Sequence, residues 1–397
     1  MYDIQGKYTT AKITIDKLDS TTINQVYNMV SNPAFTNPIA IMPDAHSGKG
    51  AVIGFTMELA DKVIPNVIGV DIGCGMLSFN VGKGLFAKNT VQEIDAAIRR
   101  DVPFGTKVHS GRGIFNVKNA KFWRELNFQL SEFTKKFNQR YGTNYSHEEM
   151  NHNELTKMCN EIKMDGERTI LSLGTLGGGN HFIEIGKSQN TGDYWVTIHS
   201  GSRQFGLKVA TYWQRKAGKG ELAFLEGENM FGYLADMVIA QKTADENREL
   251  MAKLIQNVLD VDILEVITSV HNFIDFGDWT IRKGAISAHN EEDMIIPFNM
   301  EDGLLFCVGR GNKEWNYSAP HGAGRLFSRT EAKKRAKETG SNRVAEKRMI
   351  DKGIFASSLP IDELKECYKD PKIIEDSIEP TAEIVDRVKP VLSMKDK

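Results

Sequence analysis

Apolar residues recur over 245–270 at close to a 3.6-residue period: Leu250, Leu254, Ile255, Val258, Leu259, Ile263, Val266, Ile267 and Val270. That spacing puts them on one helical face and predicts a core-facing helix that ends at His271 and Asn272. The first 85 residues follow another pattern, short apolar runs broken by glycines, as in 63–70 and 77–81. This predicts strands and tight turns. Residues 120–170 read as polar helix, 171–206 as strands with glycine-rich turns, and 281–309 as strand-rich again. Over 325–352 a helical run is basic, with Arg325, Arg329, Lys333, Lys334, Arg335, Lys337, Arg343, Lys347, Arg348 and Lys352 against Glu331, Glu338, Glu346 and Asp351. The mixture predicts an α+β (mixed α/β) class, central β-sheets flanked by helices. Strand-and-turn segments recur along the whole length, with no internal repeat and no Pro/Gly/Ser-rich linker, so one domain over residues 1–397 is expected.

Composition narrows the class. At 397 residues the chain can bury a large core, and 41% hydrophobic with 26% charged residues suits a soluble enzyme. The net charge of −2 gives no global basic field, so a nucleic-acid surface must be a local patch. The N-terminus lacks a basic start followed by an apolar run, and no stretch approaches the ~18 apolar residues of a membrane span. The four cysteines, Cys74, Cys159, Cys307 and Cys367, are scattered and form no CxxC. A reducing cytoplasm is therefore expected, where a cysteine with a role is a metal ligand or nucleophile.

Candidate chemistry clusters at glycine turns. Asp44 and His46 lie in MPDAHSGKG, Asp71 and Cys74 in GVDIGCGM, Asn180 and His181 in GTLGGGNHFIEIG, His199 in TIHSGSR, and His321 in SAPHGAGR. Glycine lets backbone approach a ligand closely and aims N–H groups outward, which suits phosphate oxygens. Asp71, Cys74, His181, His199 and His271 combine carboxylate, thiol and imidazole, a set suited to Mn, Zn, Fe or Co rather than calcium or magnesium alone. Singly, each has a structural alternative: His271 as a cap at a helix C-terminus, Cys74 as a small buried residue. Together, in similar turns, they favour a metal site. His321 could attack phosphorus through a ring nitrogen, with Arg325 neutralising phosphate charge; the alternative is a histidine that merely holds its turn. GxxxxGK[ST], GxGxxG and HExxH are absent. Lys163-Met164-Asp165-Gly166 matches the KxDG pattern of lysine-nucleophile ligases, but it lies at a polar helix end and reads as accidental. The basic run is either a solvated face or a surface for an RNA backbone.

The ordered set MPDAHSGKG, GVDIGCGM, GTLGGGNHFIEI, IHSGSR, VHNFI, HGAGR with SRT, and KPVLSMK resembles the RtcB RNA ligases, from Met42 to Lys395. The resemblance implies that Asp71, Cys74 and His181 bind one Mn²⁺, and that Cys74, His199 and His271 bind a second with the thiolate bridging. It implies that His321 attacks the α-phosphate of GTP and carries GMP. Nucleotide contacts are implied for Asn180, His181, Phe182, Ile183, Glu184, His271, Asn272, the His321, Gly322, Ala323, Gly324 turn, and Lys395. Asp44 is implied as a polar or acid–base residue at the centre, and Asn180 and Arg325 stand beside it as catalytic candidates. The implied reaction opens a 2′,3′-cyclic phosphate, guanylylates the RNA 3′-phosphate and joins it to a 5′-hydroxyl end, in RNA repair or tRNA splicing. An activating partner protein is compatible with it.

The chain departs from the pattern after Ile295-Ile296-Pro297, where Phe298, Asn299, Met300, Glu301, Asp302 and Gly303 replace an expected Gly-Ser-Met-Gly stretch that lines the nucleotide site. Pro297, Phe298, Asn299 and Met300 are expected there nonetheless, with nucleotide preference open. Two competing functions remain. A metal-dependent cyclic phosphodiesterase would need the metal residues but neither His321 nor Lys395. A noncatalytic RNA-end-binding protein would tolerate damaged metal positions, and none is damaged.

Overall fold

The computed structural model describes residues 1–15, 18–110 and 120–396. Strands β1 (Tyr2–Gln5) and β2 (Thr10–Ile13) precede helix α1 (Ser20–Val30), then β3 (Ile39–His46), β4 (Ile53–Glu58), the one-turn α2 (Pro65–Ile68), β5 (Gly75–Asn80) and α3 (Val91–Asp101). A helical stretch follows: α4 (Ala120–Tyr141), α5 (His152–Glu161) and α6 (Gly166–Leu171). After β6 (Phe182–Ser188) and β7 (Tyr194–Ser200) come α7 (Arg203–Ala217) and the long α8 (Gly227–Leu259). Next are β8 (Glu265–Val270), β9 (Asn272–Asp275), β10 (Thr280–Lys283), β11 (Ala285–Ser287), β12 (Asp293–Pro297), β13 (Leu304–Gly309) and β14 (Ser318–Pro320). The chain closes with α9 (Arg329–Thr339), α10 (Ser341–Asp351), α11 (Pro371–Ser377) and β15 (Ala382–Met394).

Two main sheets carry the fold. One has the order β1-β2-β3-β4-β10-β9, the other β12-β13-β15-β6-β7-β5-β8, and β11 pairs with β14 between them. The second sheet curls until its edges meet, where the Ile295 amide donates to the Ser269 hydroxyl at 2.9 Å. Helices flank the sheets in a mixed α+β arrangement, as the patterning predicted. The polar α4 still presents Phe122, Leu126, Leu130, Phe133 and Phe137 at three- and four-residue steps to the core. There Phe137 meets Phe231 of α8 edge-on at 5.2 Å.

Local chemistry sets the helix limits. Thr90 and Glu93 form a reciprocal capping box on α3. Asp165 caps α6 by accepting from the Glu167 and Arg168 amides. That cap accounts for the aspartate of the KxDG match, and Lys163 is an exposed residue in the turn before it.

Two expectations are corrected. The helix predicted over 245–270 stops at Leu259, where Asp260 turns left-handed at φ 52°, and Glu265–Val270 is a strand. In β8, Ile267 and Ser269 face inward while Val266 and Thr268 face outward, a period of two that helical spacing had mimicked. His271 therefore follows a strand, which removes its reading as a helix cap. Residues 63–70 are not a strand either: Pro65, with its φ preset and no N–H to lose, opens α2.

Candidate active site and metal centre

Strand order brings the candidate ligands together. β6, β7, β5 and β8 are consecutive antiparallel neighbours. Cys74 directly precedes β5, His181 directly precedes β6, His199 lies near the end of β7, and His271 directly follows β8. Alternating direction puts the start of one strand beside the end of the next, so four residues far apart in sequence meet at one sheet end. Asp71 joins them from the turn before Cys74.

One donor atom from each of Cys74, His199 and His271 lies within 4.8 Å of the others, and the same holds for Asp71, Cys74 and His181. Cys74 Sγ is 3.2 Å from His199 Nε2 and 3.5 Å from His181 Nε2. His181 Nε2 is 3.0 Å from Asp71 Oδ2, and the Nε2 atoms of His199 and His271 are 3.3 Å apart. The ring tautomers fit a metal. His181 Nδ1 lies 2.9 Å from the Leu176 carbonyl and His199 Nδ1 3.2 Å from that of Asn180. A carbonyl only accepts, so each Nδ1 carries a proton and each Nε2 is the nitrogen that can offer a lone pair to a cation at the shared centre. Gly177, at φ 96°, makes this possible, because a Cβ there would lie 2.7 Å from His181 Nδ1.

The electrostatics agree. Burial, then neighbouring positive charge, pushes the His199 and His271 imidazoles well below their ordinary range, so both are neutral. Burial also opposes ionisation of Asp71, but the charge and hydrogen bond of His181 outweigh it and hold the carboxyl low. Burial, reinforced by Asp71, pushes the Cys74 thiol well up. A cation among these groups would displace that proton and meet a carboxylate, a thiolate and imidazole lone pairs. The donor set fits two divalent ions sharing Cys74.

A third cluster, Asp275, Asp278 and His289, is different. The fully buried Arg282 lies 3.5 Å from Asp275 and 3.3 Å from Asp278 and already supplies the positive charge.

A cavity borders the candidate metal centre on the His199–His271 side. His321 stands in it, with its ring centroid 4.9 Å from that of His271. It directly follows β14, and the fully buried Asp44 of β3 meets it from the first sheet. Asp44 Oδ2 lies 2.5 Å from His321 Nδ1 and 3.2 Å from its amide nitrogen, while Oδ1 has no hydrogen-bond partner among the described residues. Gly324 permits this approach, since a Cβ there would lie 2.3 Å from the Asp44 carbonyl oxygen.

The expected nucleotide residues Asn180, Phe182, Glu184, His271, Asn272, Pro297, Phe298, Asn299, Met300, His321, Gly322, Ala323, Gly324 and Lys395 all line this cavity. Ile183 does not. Strand alternation turns Phe182 and Glu184 toward the cavity and Ile183 into the core, where it is fully buried. His181 lines a separate cavity with Asp71. Burial raises the Glu184 carboxyl to about 8 against the opposing charge of Lys395. Lys395 Nζ donates to Glu363 at 2.9 Å and to the Asn180 carbonyl at 3.2 Å.

Arg325 lines the same cavity as His321. Its donors engage Glu363 at 3.0 Å, the Asp362 carbonyl at 2.6 Å and Tyr368 at 3.3 Å, which also fixes the cavity wall. Glu363 and Tyr368 also line the cavity, and the sequence reading missed both. So did it miss Ser393, although Ser393 lies two residues before Lys395 and so shares its face of the terminal strand.

The basic run forms α9 and α10, and much of its charge is paired. Arg329 meets Asp362 and Glu363 at 3.3 Å, Arg335 meets Glu331 at 2.7 Å, and Arg348 and Lys352 meet Glu301 at 2.6 and 3.1 Å. Lys334, Lys337, Arg343 and Lys347 are exposed among Glu338 and Glu346, which makes a mixed face rather than a basic stripe.

Comparison with known proteins bears directly on this geometry. The profile of the tRNA-splicing ligase RtcB family matches residues 25–396. The chain belongs to the RtcB family. RNA-splicing ligase RtcB of Escherichia coli K12 is 32% identical over 350 residues, covering 78% of this chain and 79% of that protein. The tRNA-splicing ligase RtcB of Nanoarchaeum equitans is 27% identical over 98% of this chain and 94% of its own length, and that of Aeropyrum pernix is 26% identical over 88% and 85%. The matched residues include the Asp71, Cys74, His181, His199 and His271 cluster, His321 and Lys395. Among the described residues no helix is long and apolar enough to cross a membrane.

Proposed function

We propose that this chain is a GTP- and Mn²⁺-dependent RNA ligase that joins a 3′-phosphate or 2′,3′-cyclic phosphate end to a 5′-hydroxyl end, its residues 1–397 forming one catalytic domain. The observation that carries the reading is His321, held by buried Asp44 in a cavity whose wall includes the candidate metal ligands His199 and His271. Asp71, Cys74 and His181 would hold one Mn²⁺, and Cys74, His199 and His271 a second. When bound, such a pair neutralises charge on phosphate oxygens at the reacting end.

His321 Nδ1–H donates a hydrogen bond to Asp44, which leaves the Nε2 lone pair free to attack. Nε2 forms a bond to the α-phosphorus of GTP while the bond from that phosphorus to the bridging oxygen breaks, and pyrophosphate leaves with the electron pair. Positive charge developing on the ring is met by the Asp44 carboxylate. Where the RNA ends in a cyclic phosphate, water adds to phosphorus and the bond to O2′ breaks. A 3′-phosphate oxygen then attacks the GMP phosphorus, and the N–P electron pair returns to Nε2. Finally the 5′-hydroxyl oxygen attacks the RNA 3′-phosphorus, a phosphodiester forms, and GMP leaves while the hydroxyl proton passes to base. Guanylylation is needed because an alcohol displaces a phosphate monoester oxygen poorly.

Glu184 and Lys395 support guanine as the base, for its edge sets an acceptor, O6, beside two donors, N1–H and N2–H. Lys395 can donate to the first, and Glu184, protonated in the nucleotide-free protein, can accept from the others on giving up that proton.

The test is covalent labelling. Protein is incubated with Mn²⁺ and α-labelled GTP, denatured, and compared with His321→Ala. An acid-labile adduct on the wild type alone is expected. No adduct from any nucleotide, in protein that still binds Mn²⁺, would replace this reading with a cyclic phosphodiesterase or an RNA-end-binding protein.

A further inference from the structure

One wall of the cavity is the loop between β12 and β13, where Phe298, Asn299, Met300 and Gly303 face the cavity. This is the stretch in which the chain departs from the expected family pattern. In its middle is a carboxylate, Glu301, whose side chain is only 2% exposed. Ion pairing alone gives no reason to bury it, because desolvating an ion pair costs about as much as its attraction returns. A buried charge held by several directed bonds does, however, fix geometry.

The bonds here are directed. Arg348 of α10 donates to Glu301 from Nε at 3.2 and 3.1 Å and from Nη2 at 2.6 Å, and Lys352 adds a bond at 3.1 Å. Burial opposes ionisation of Glu301, yet these cations hold its carboxyl below the ordinary value. On the loop side, Asn299 Oδ1 accepts from the Glu301 and Asp302 amides at 3.0 and 3.1 Å. The path from α10 to a cavity-lining residue is therefore two bonded steps, Arg348 to Glu301 and Glu301 to Asn299. Met300 adds a packed contact to Met349 of α10. The other helix of the same hairpin begins at Arg329, which also lines the cavity and is anchored by Asp362 and Glu363. The α9–α10 hairpin is thus tied to the cavity rim at both ends.

We infer that Glu301 is a positioning residue of this chain: through Arg348 and Lys352 it fixes the β12–β13 loop against α10 and so sets the shape of the nucleotide cavity. The inference rests on reading that cavity as the GTP site. Glu301 itself does not line the cavity, so its loss acts through the loop: the nucleotide binds less tightly, while His321 and Asp44, on other elements, keep their chemistry.

The test compares wild type with Glu301→Gln, Arg348→Gln and the double variant. The readouts are KM for GTP and the saturated rate of His321 labelling with Mn²⁺, with Tm measured in parallel. Arg348 is partly exposed, so its variant folds even where Glu301→Gln does not. Expected is a rise in KM of about tenfold or more in each single variant, a saturated rate within about threefold of wild type, and a double variant no worse than the worse single one. Falling Tm with KM within about twofold of wild type would make Glu301 merely structural and overturn the inference. A lower saturated rate at unchanged KM would overturn it too. A wild type that takes no label from any nucleotide would instead remove the nucleotide reading, and this inference with it.

Discussion

Asp44→Asn isolates the role of one charge. Asp44 Oδ2 is the oxygen near both His321 Nδ1, at 2.5 Å, and the His321 amide nitrogen, at 3.2 Å. An asparagine keeps the volume and must turn its carbonyl oxygen to the same place, because the backbone N–H can only donate. The Nδ1 proton is then retained, and so is the nucleophilic Nε2. What disappears is the negative charge beside a ring that becomes positive as Nε2 bonds to phosphorus. A charge-assisted hydrogen bond of this kind contributes roughly 2–3 kcal/mol. That corresponds to a labelling rate roughly 30- to 160-fold slower. Folding changes little, since Oδ1 has no hydrogen-bond partner among the described residues to lose. Single-turnover labelling with saturating GTP and Mn²⁺, alongside Tm, measures both quantities. Labelling within threefold of wild type would refute the claim that Asp44 stabilises charge on His321.

Three further outcomes are expected. His321→Ala forms no adduct while Mn²⁺ raises its Tm as in the wild type; loss of the thermal response would place His321 among the metal ligands. Because burial and Asp71 push the Cys74 thiol up, metal binding must release its proton, so apparent Mn²⁺ affinity rises with pH by up to about tenfold per unit. Cys74→Ala weakens binding and removes that slope in calorimetric titrations, and a wild type with no slope would exclude the thiolate. Glu184 keeps its proton to about 8 in the fold but loses it near the ordinary 4.5 when unfolded. The folded state binds the extra proton between those values, so stability falls as pH rises through that window. Glu184→Gln should flatten the corresponding decline in Tm of the nucleotide-free protein, and an unchanged profile would count against burial of an ionisable Glu184.

Much of the fold class was legible because glycine turns and short apolar runs mark strands directly. Two errors have one origin, the ambiguity of short apolar stretches. Ile263, Val266, Ile267 and Val270 continue the helical spacing of α8, but the chain turns at Asp260 and pairs 265–270 with β5. Helical and strand periods coincide over so few residues, and only the β5 partner distinguishes them. In 63–70 the apolar content matched a strand, while Pro65 marked a helix start.

The site was legible to the extent that its residues sit in turns at strand ends. Antiparallel pairing of β6, β7, β5 and β8 converts separation in sequence into adjacency at one edge, so a carboxylate, a thiol and three imidazoles in similar turns were recognisable as a set before their convergence was visible. Residues that act through a partner carry no such mark. Glu363 is a buried carboxylate held low, against its burial, by Lys395 and Arg329, and Tyr368 donates to it at 2.6 Å. Its segment has no glycine turn to single it out. Its importance comes from the cations around it: without Glu363, Lys395, Arg325 and Arg329 would share one cavity wall with no common counter-charge, and their mutual repulsion would force them apart. The same logic gives Arg325 a structural part that the sequence did not show. An arginine beside a candidate nucleophile suggested a phosphate clamp, and its bonds to Glu363, Asp362 and Tyr368 also hold the wall from which Lys395 reaches into the cavity.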